Sequence, residues 1–84
     1  MDLELIAFIK DSDLRFRILK ELEKKPQLPS ELAKKLNINR ASISRTLKVL
    51  KEKELVIPKS SGGRTIIYSI SEKGKKLISD LNAR

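Results

Sequence analysis

The tripeptide Asn37-Ile38-Asn39 constrains this chain more than any other short stretch. It stands between two amphipathic segments in "SELAKKLNINRASISRTLKVL", residues 30–50. Before it, Leu32, Ala33 and Leu36 fall at helical spacing. Pro29 suits the first turn of that helix, where its missing N–H costs no hydrogen bond. Asn37 stands where a left-handed residue ends a helix, a state asparagine tolerates next best after glycine. Ile38 plugs the corner, and Asn39 can cap a new helix at once. The spacing predicts two short helices joined at a tight turn.

The second helix is expected from about Arg40 to Lys53. Ile43, Leu47, Leu50 and Glu54 share a narrow arc at ~100° per residue, so the three apolar side chains face a core. Ala41, Ser44, Arg45 and Lys48 lie on the opposite side. That outward face is small, hydroxylated and basic.

Upstream, "DLELIAFIK" (residues 2–10) crowds Leu3, Leu5, Ile6, Phe8 and Ile9 together, with Asp2 suited to a helix start and Lys10 to its end. This is more apolar surface than one amphipathic helix needs. Asp11, Ser12 or Asp13 can cap a following helix to about Lys25, with Leu14, Ile18, Leu19 and Leu22 inward. Pro26 stops it.

Downstream the period changes. "LVIPK" and "RTIIYSI" are β-rich, and the second alternates Ile66, Tyr68 and Ile70 against Thr65, Ile67 and Ser69. Residues 60–63 supply the turn, with Gly62 and Gly63 free to take positive φ. Pro58 makes the first strand an edge or ends it early. "SEKGKKLISDL" predicts a last helix capped by Ser71, with Glu72 at the dipole's positive end and an apolar stripe of Leu77, Ile78 and Leu81. With no repeats and no linkers, residues 1–84 are expected to form one domain.

The net charge of +8 is unevenly placed. Residues 1–33 hold six Lys/Arg against seven Asp/Glu, and residues 34–84 hold thirteen against four. A neutral first part and a basic second part predict a polyanion partner for the second. The chain has no cysteine and no histidine. Disulfides, thiolate or imidazole metal sites, and Cys or His catalysis are excluded. No run of closely spaced acids suggests a carboxylate metal site. The expectation is a protein that is not an enzyme and holds no cofactor and no metal. No apolar run approaches the ~20 residues of a membrane span. The acidic opening "MDLE" is unlike a secretory signal, so a cytoplasmic, nucleoid-associated protein is expected.

Two helices about a tight turn followed by a basic hairpin resemble the winged helix-turn-helix of bacterial and archaeal transcription regulators. "DLRFRILKEL", "SELAKKLNI", "ISRTLKVLKEKELV" and "GRTIIYSISEKGKKL" look like successive signatures of the ArsR and MarR groups, and together cover nearly the whole chain. The front is more ArsR-like, and "SEKGKKL" is more MarR-like. The resemblance implies an α+β, mainly α fold, with a three-helix core, a two-stranded β-hairpin wing and a C-terminal helix. The helix-turn-helix would span about 29–53, the wing about 55–70 and the last helix about 71–83. The chain departs from these groups in three ways. Without Cys or His, the metal sensing of many ArsR-type regulators does not carry over. Asn37 and Glu54 stand where glycine is common. The longer helical additions that build the ligand pocket of MarR-type dimers are missing.

By this resemblance "SRTLKVL" lies on a recognition helix, whose N-terminal part meets base edges in the major groove. Arg40, Ala41, Ser42, Ser44 and Arg45 are the expected base readers. Arginine pairs with guanine O6 and N7, serine serves several bases, and alanine can touch a thymine methyl. Lys34, Lys35, Asn39, Lys48 and Lys51 are expected on phosphates. Lys59, Ser60, Ser61 and Arg64 are expected at the wing, on flanking backbone or in a minor groove. Double-stranded DNA is the expected partner. The alternatives are a winged helix for protein contacts within transcription machinery, or a non-specific chromatin-type DNA binder. Single-stranded or RNA binding wants aromatic platforms, and Phe8, Phe16 and Tyr68 sit at expected core or interface positions. A homodimer is expected as well, its interface drawn from Leu3, Leu5, Ile6, Ile9, Leu77, Ile78 and Leu81.

Overall fold

The computed structural model describes residues 2–60 and 62–82. Helix α1 (Leu3–Lys10) begins where Asp2 Oδ1 accepts from the Leu5 N–H at 3.2 Å. Helix α2 (Asp13–Lys24) follows Ser12, whose backbone is extended and whose side chain makes no capping bond. It stops one residue short of the expected end. Lys25 is extended at φ −173°, as the residue before a proline prefers.

Helix α3 (Pro29–Leu36) has Pro29 at its first turn, and Glu31 Oε1 accepts from the Leu28 N–H at 2.8 Å. Asn37 is left-handed, at φ 57° and ψ 46°, and the Ile38 N–H reaches back to the Ala33 carbonyl. Asn39 Oδ1 then accepts from the Ser42 N–H at 2.8 Å and starts α4 (Arg40–Glu52). Asn-Ile-Asn is a stop, a half-buried plug and a start, as its order predicts.

Helix α4 ends at a second left-handed residue, Glu54, at φ 61°. The Glu54 N–H donates to Lys51 O and the Leu55 N–H to Leu50 O, which satisfies the last carbonyls of the helix. Glu54 therefore leaves the arc it was expected to share with Leu50 and is exposed. Leu50 and Leu55 seal the corner, both fully buried.

Strands β1 (Val56–Ser60) and β2 (Ile66–Ile70) pair antiparallel, with Pro58 opposite Tyr68. Both backbone groups of Tyr68 turn the other way, to Gln27, at 2.9 Å each. At this register no N–H is needed from residue 58, so proline sits mid-strand without breaking the ladder. Gln27 is fully buried and ties the α2–α3 connection to the wing. Burial rises along β2 towards Ile70. Ile66, in the same alternation as Tyr68 and Ile70, is 43% exposed and lies at the outer end of the hairpin.

Helix α5 (Glu72–Asn82) begins at Ser71, whose Oγ accepts from the Gly74 N–H at 3.0 Å. Gly74 is buried against the α4–β1 corner. A Cβ there would stand 2.5 Å from the Leu55 carbonyl oxygen and 2.7 Å from Ile70 Cγ1.

The core joins Ile18, Leu19 and Leu22 of α2 to Leu32, Ile43, Leu47, Leu50 and Ile78, all at most 2% exposed. Full burial of each such side chain contributes about 1.5–3 kcal/mol. The chain termini add to this same core. Leu5, Ile6, Ile9, Leu77 and Ile78, expected at an interface between subunits, are at most 8% exposed within their own chain. Helix α1 packs on both α2 and α5, and so consumes the apolar surface that looked surplus. Of the seven expected interface residues only Leu3, at 74%, is freely exposed, and Leu81 is half-buried. Phe8 is held outside the core proper. The Arg15 guanidinium stacks 4.0 Å from its ring centroid and donates to its carbonyl at 2.7 Å.

The fold is thus α+β and mainly helical, a winged helix with a two-stranded antiparallel hairpin. Among the described residues, no helix is long and apolar enough to cross a membrane.

Candidate nucleic-acid interface

Helix α4 presents three faces. Ile43, Leu47 and Leu50 point into the core. Ala41, Arg45 and Lys48 lie opposite them, all exposed. Arg40 and Ser44, four residues apart, stand on the flank that turns towards the wing. Ser42 lies on the other flank, half-buried, and its Oγ accepts from Arg45 Nη2 at 3.3 Å. This contact leans the Arg45 side chain back along its own helix while leaving it in solvent.

The five expected base readers therefore do not form one surface. Ala41 and Arg45 share the outward face, and Arg40 and Ser44 border a cleft of about 460 Å³. Arg64, Thr65 and Ile66 of the wing form the opposite wall, and Ser30 of α3 lies at its end. Sequence periodicity could not find Ser30, Thr65 and Ile66. A helical period assigns faces within one helix but does not say which loop lies across from it.

The expected phosphate contacts divide further. Lys34, Lys48 and Lys51 are exposed and make no ion pair among the described residues. Lys35 stands 3.9 Å from Glu21, so part of its charge is already countered. Glu21 also accepts from Lys24 at 3.0 Å. The hydrogen bond from Lys24 holds its carboxyl below the usual range, with Lys35 adding a smaller pull and burial opposing both. The side-chain oxygen of Asn39 is committed to capping α4, which leaves only its amide nitrogen to donate outward. At the wing, Lys59, Ser60 and Arg64 are exposed, while Ser61 lies outside the described residues. Among the described residues, no group of three or more His, Cys, Asp or Glu could hold a metal ion.

A concentration of cations without ion pairs among the described residues thus runs from α3 across α4 to the hairpin. Two of its arginines, Arg40 and Arg64, face one cleft, and a third, Arg45, faces outward. Such a surface suits a regularly spaced polyanion better than a small acid.

A family model described as a helix-turn-helix domain matches residues 11–58. No curated protein sequence matches the chain significantly. Among solved structures, the transcriptional regulator BldR from Sulfolobus solfataricus is 28% identical, with a TM-score of 0.78 over 86% of this chain and 53% of its own. The adhesin competence repressor AdcR from Streptococcus pyogenes is 20% identical, with a TM-score of 0.80 over 96% of this chain and 65% of its own. ZitR from Lactococcus lactis, solved in complex with DNA, is 24% identical, with a TM-score of 0.75 over 86% of this chain and 51% of its own. The last two likenesses concern the fold. The chain spans between about half and two thirds of the length of these structures.

Proposed function

The chain belongs to the helix-turn-helix domain family, and on that premise we propose that it is a sequence-specific, duplex-DNA-binding transcription regulator of the ArsR/MarR-like type. Its 84 residues act as one winged-helix domain in the cytoplasm, on the nucleoid. One observation carries the reading. The helix after the tight turn exposes a face of Ala41, Arg45 and Lys48 beside a hairpin with Lys59 and Arg64 at its end. A major groove about 12 Å wide accepts one helix, provided that small residues let it approach the bases. Alanine and serine meet that condition, and Arg45 has the reach and planarity to pair with guanine. Lys34, Lys48, Lys51 and Lys59 position the protein on phosphates without reading sequence. The likeness to BldR and to DNA-bound ZitR supports the same reading.

Enrichment of random duplexes on the purified protein, followed by sequencing, tests it. A recurrent short motif is expected. Recovery of unenriched sequence at high affinity would indicate a non-specific binder, and no recovery at all would remove DNA as the partner.

A second copy is proposed to dock around Leu3. This residue stands at a groove between α1 and α5, walled by Asp2 and Glu4 on one side and by Lys73, Lys76 and Asp80 on the other. Mixed charge about an apolar point suits a two-fold contact. Light scattering across micromolar concentrations, with and without DNA, is the check. A persistent mass of 9.6 kDa is the monomer and sinks the dimer.

A further inference from the structure

We propose that the cleft between α4 and the wing clamps the backbone of one DNA strand, with Arg40 and Arg64 on a phosphate and Ile66 against a deoxyribose. The clamp rests on the duplex-DNA reading above and changes one assignment within it, moving Arg40 from the bases to the backbone.

Position comes first. Arg40 lies at the first turn of α4, on the flank towards the wing, and shares the cleft with Arg64. The outward face, where a base edge would be met, belongs to Ala41 and Arg45. Neither Arg40 nor Arg64 is in an ion pair among the described residues. Two arginines lining one cleft, neither in an ion pair among the described residues, favour an anion that offers several oxygens, because each planar fork pairs best with two acceptors. Ser30 and Ser44 line the same cleft and can add neutral hydroxyl donors.

Ile66 shows what kind of anion. It is 43% exposed and stands in the same cleft as the two arginines. A scattered surface isoleucine needs no explanation, but this one shares with Leu28 and Pro29 a cleft whose other lining residues are cationic or hydroxylated. A free phosphate would use the arginines and leave Ile66 wet. A sugar–phosphate chain presents an apolar C–H face next to each charge. It can fill a cleft of about 460 Å³ with both kinds of contact at once. The backbone of Tyr68, which also lines the cleft, is bonded to Gln27, so the wing wall is braced against the helical part.

The test scans a selected duplex with neutral methylphosphonates, one phosphate at a time, against the unsubstituted protein, Arg40→Ala, Arg64→Ala and Ile66→Ser. One position is expected where neutralisation weakens the unsubstituted protein roughly tenfold, as for loss of a charge-assisted hydrogen bond. The same neutralisation should weaken Arg40→Ala and Arg64→Ala less than the unsubstituted protein, and should change a variant lacking both arginines by less than about twofold. Each arginine variant should lower the salt slope by about 1, alike for all sequences. Ile66→Ser should lose affinity severalfold with its salt slope unchanged, its exposure leaving the circular dichroism spectrum intact. A duplex bound well with no phosphate coupled to both arginines overturns the clamp alone. So does an Arg40→Ala that relaxes one base preference at constant slope. Absence of duplex binding by the unsubstituted protein overturns the DNA reading and the clamp with it.

Discussion

The Ser71 hydroxyl donates to the Glu54 carbonyl at 2.7 Å, across seventeen residues of chain. The same oxygen accepts from the Gly74 N–H, and the Ser71 N–H donates to Leu55 O at 3.0 Å. One short side chain thus caps the last helix and pins the corner through which the chain leaves α4. The wing begins two residues after Glu54, so this junction sets where the wing starts relative to α4.

Ser71→Ala removes the cap and the cross-link together. A lost cap costs about 1 kcal/mol, and up to about 2 in tight settings. In a domain this small the melting midpoint should fall by roughly 4–8 °C for each kcal/mol. Thermal unfolding followed by circular dichroism checks it, and an unchanged midpoint would mean that Leu55 and Gly74 hold the corner unaided.

Glu54→Gly should stabilise the fold. A left-handed residue with a Cβ costs roughly 1–2 kcal/mol, and glycine carries no such cost. Against this, glycine loses more freedom on folding. The Lys73 contact at 3.7 Å is exposed and contributes little. A net gain of about 1 kcal/mol is expected in urea unfolding, and a loss would show that the Lys73 pair outweighs the backbone strain.

Arg45→Ala and Lys59→Ala should differ in kind. Arg45→Ala should cost about 1–3 kcal/mol on the selected duplex and relax preference at one base position. Lys59→Ala should weaken all duplexes alike and flatten the salt dependence by about 1. Equilibrium titrations on matched and single-mismatch duplexes at several salt concentrations separate the two. Equal, sequence-independent losses would mean that Arg45 reads no base.

Glu21 makes stability depend on acid. Its carboxyl titrates below the ordinary 4.5 in the folded chain, first because Lys24 hydrogen-bonds to it. A lowered folded pKa contributes stability above the unfolded value, and that stability is lost as pH falls through the folded value. Unfolding free energy should therefore drop below about pH 4.5, and Glu21→Gln should flatten part of that drop. A parallel pH profile for the variant would assign the acid sensitivity to other carboxylates.

The parts of this fold legible in sequence are those decided locally. Asn37 and Asn39 act on their own neighbours through a left-handed turn and a cap, and the period of Ile43, Leu47 and Leu50 is internal to one helix. What could not be read depends on distant partners. Leu5, Ile6 and Ile9 look surplus until α5 is seen to close over α1. Nothing in the residues around Gln27 announces its burial, which depends on Tyr68 supplying both of its backbone bonds. The need for glycine at position 74 of "SEKG" depends on the Leu55 carbonyl, which would stand 2.5 Å from a Cβ there. The same limit applies to the interface. The charge asymmetry located the basic part of the chain, but only the packing of the hairpin showed that Arg64 lines one cleft with Arg40.

Pro58 has a consequence beyond the ladder it leaves intact. Because Tyr68 directs its backbone groups to Gln27, the backbone at residue 58 faces outward, along the free edge of β1. That edge carries an isoleucine, Ile57, that is 50% exposed, and a bare strand of this kind invites pairing with a strand from another molecule. Proline removes the donor at the middle of that edge. A wing exposed enough to meet a partner is thereby kept from templating aggregates of its own kind.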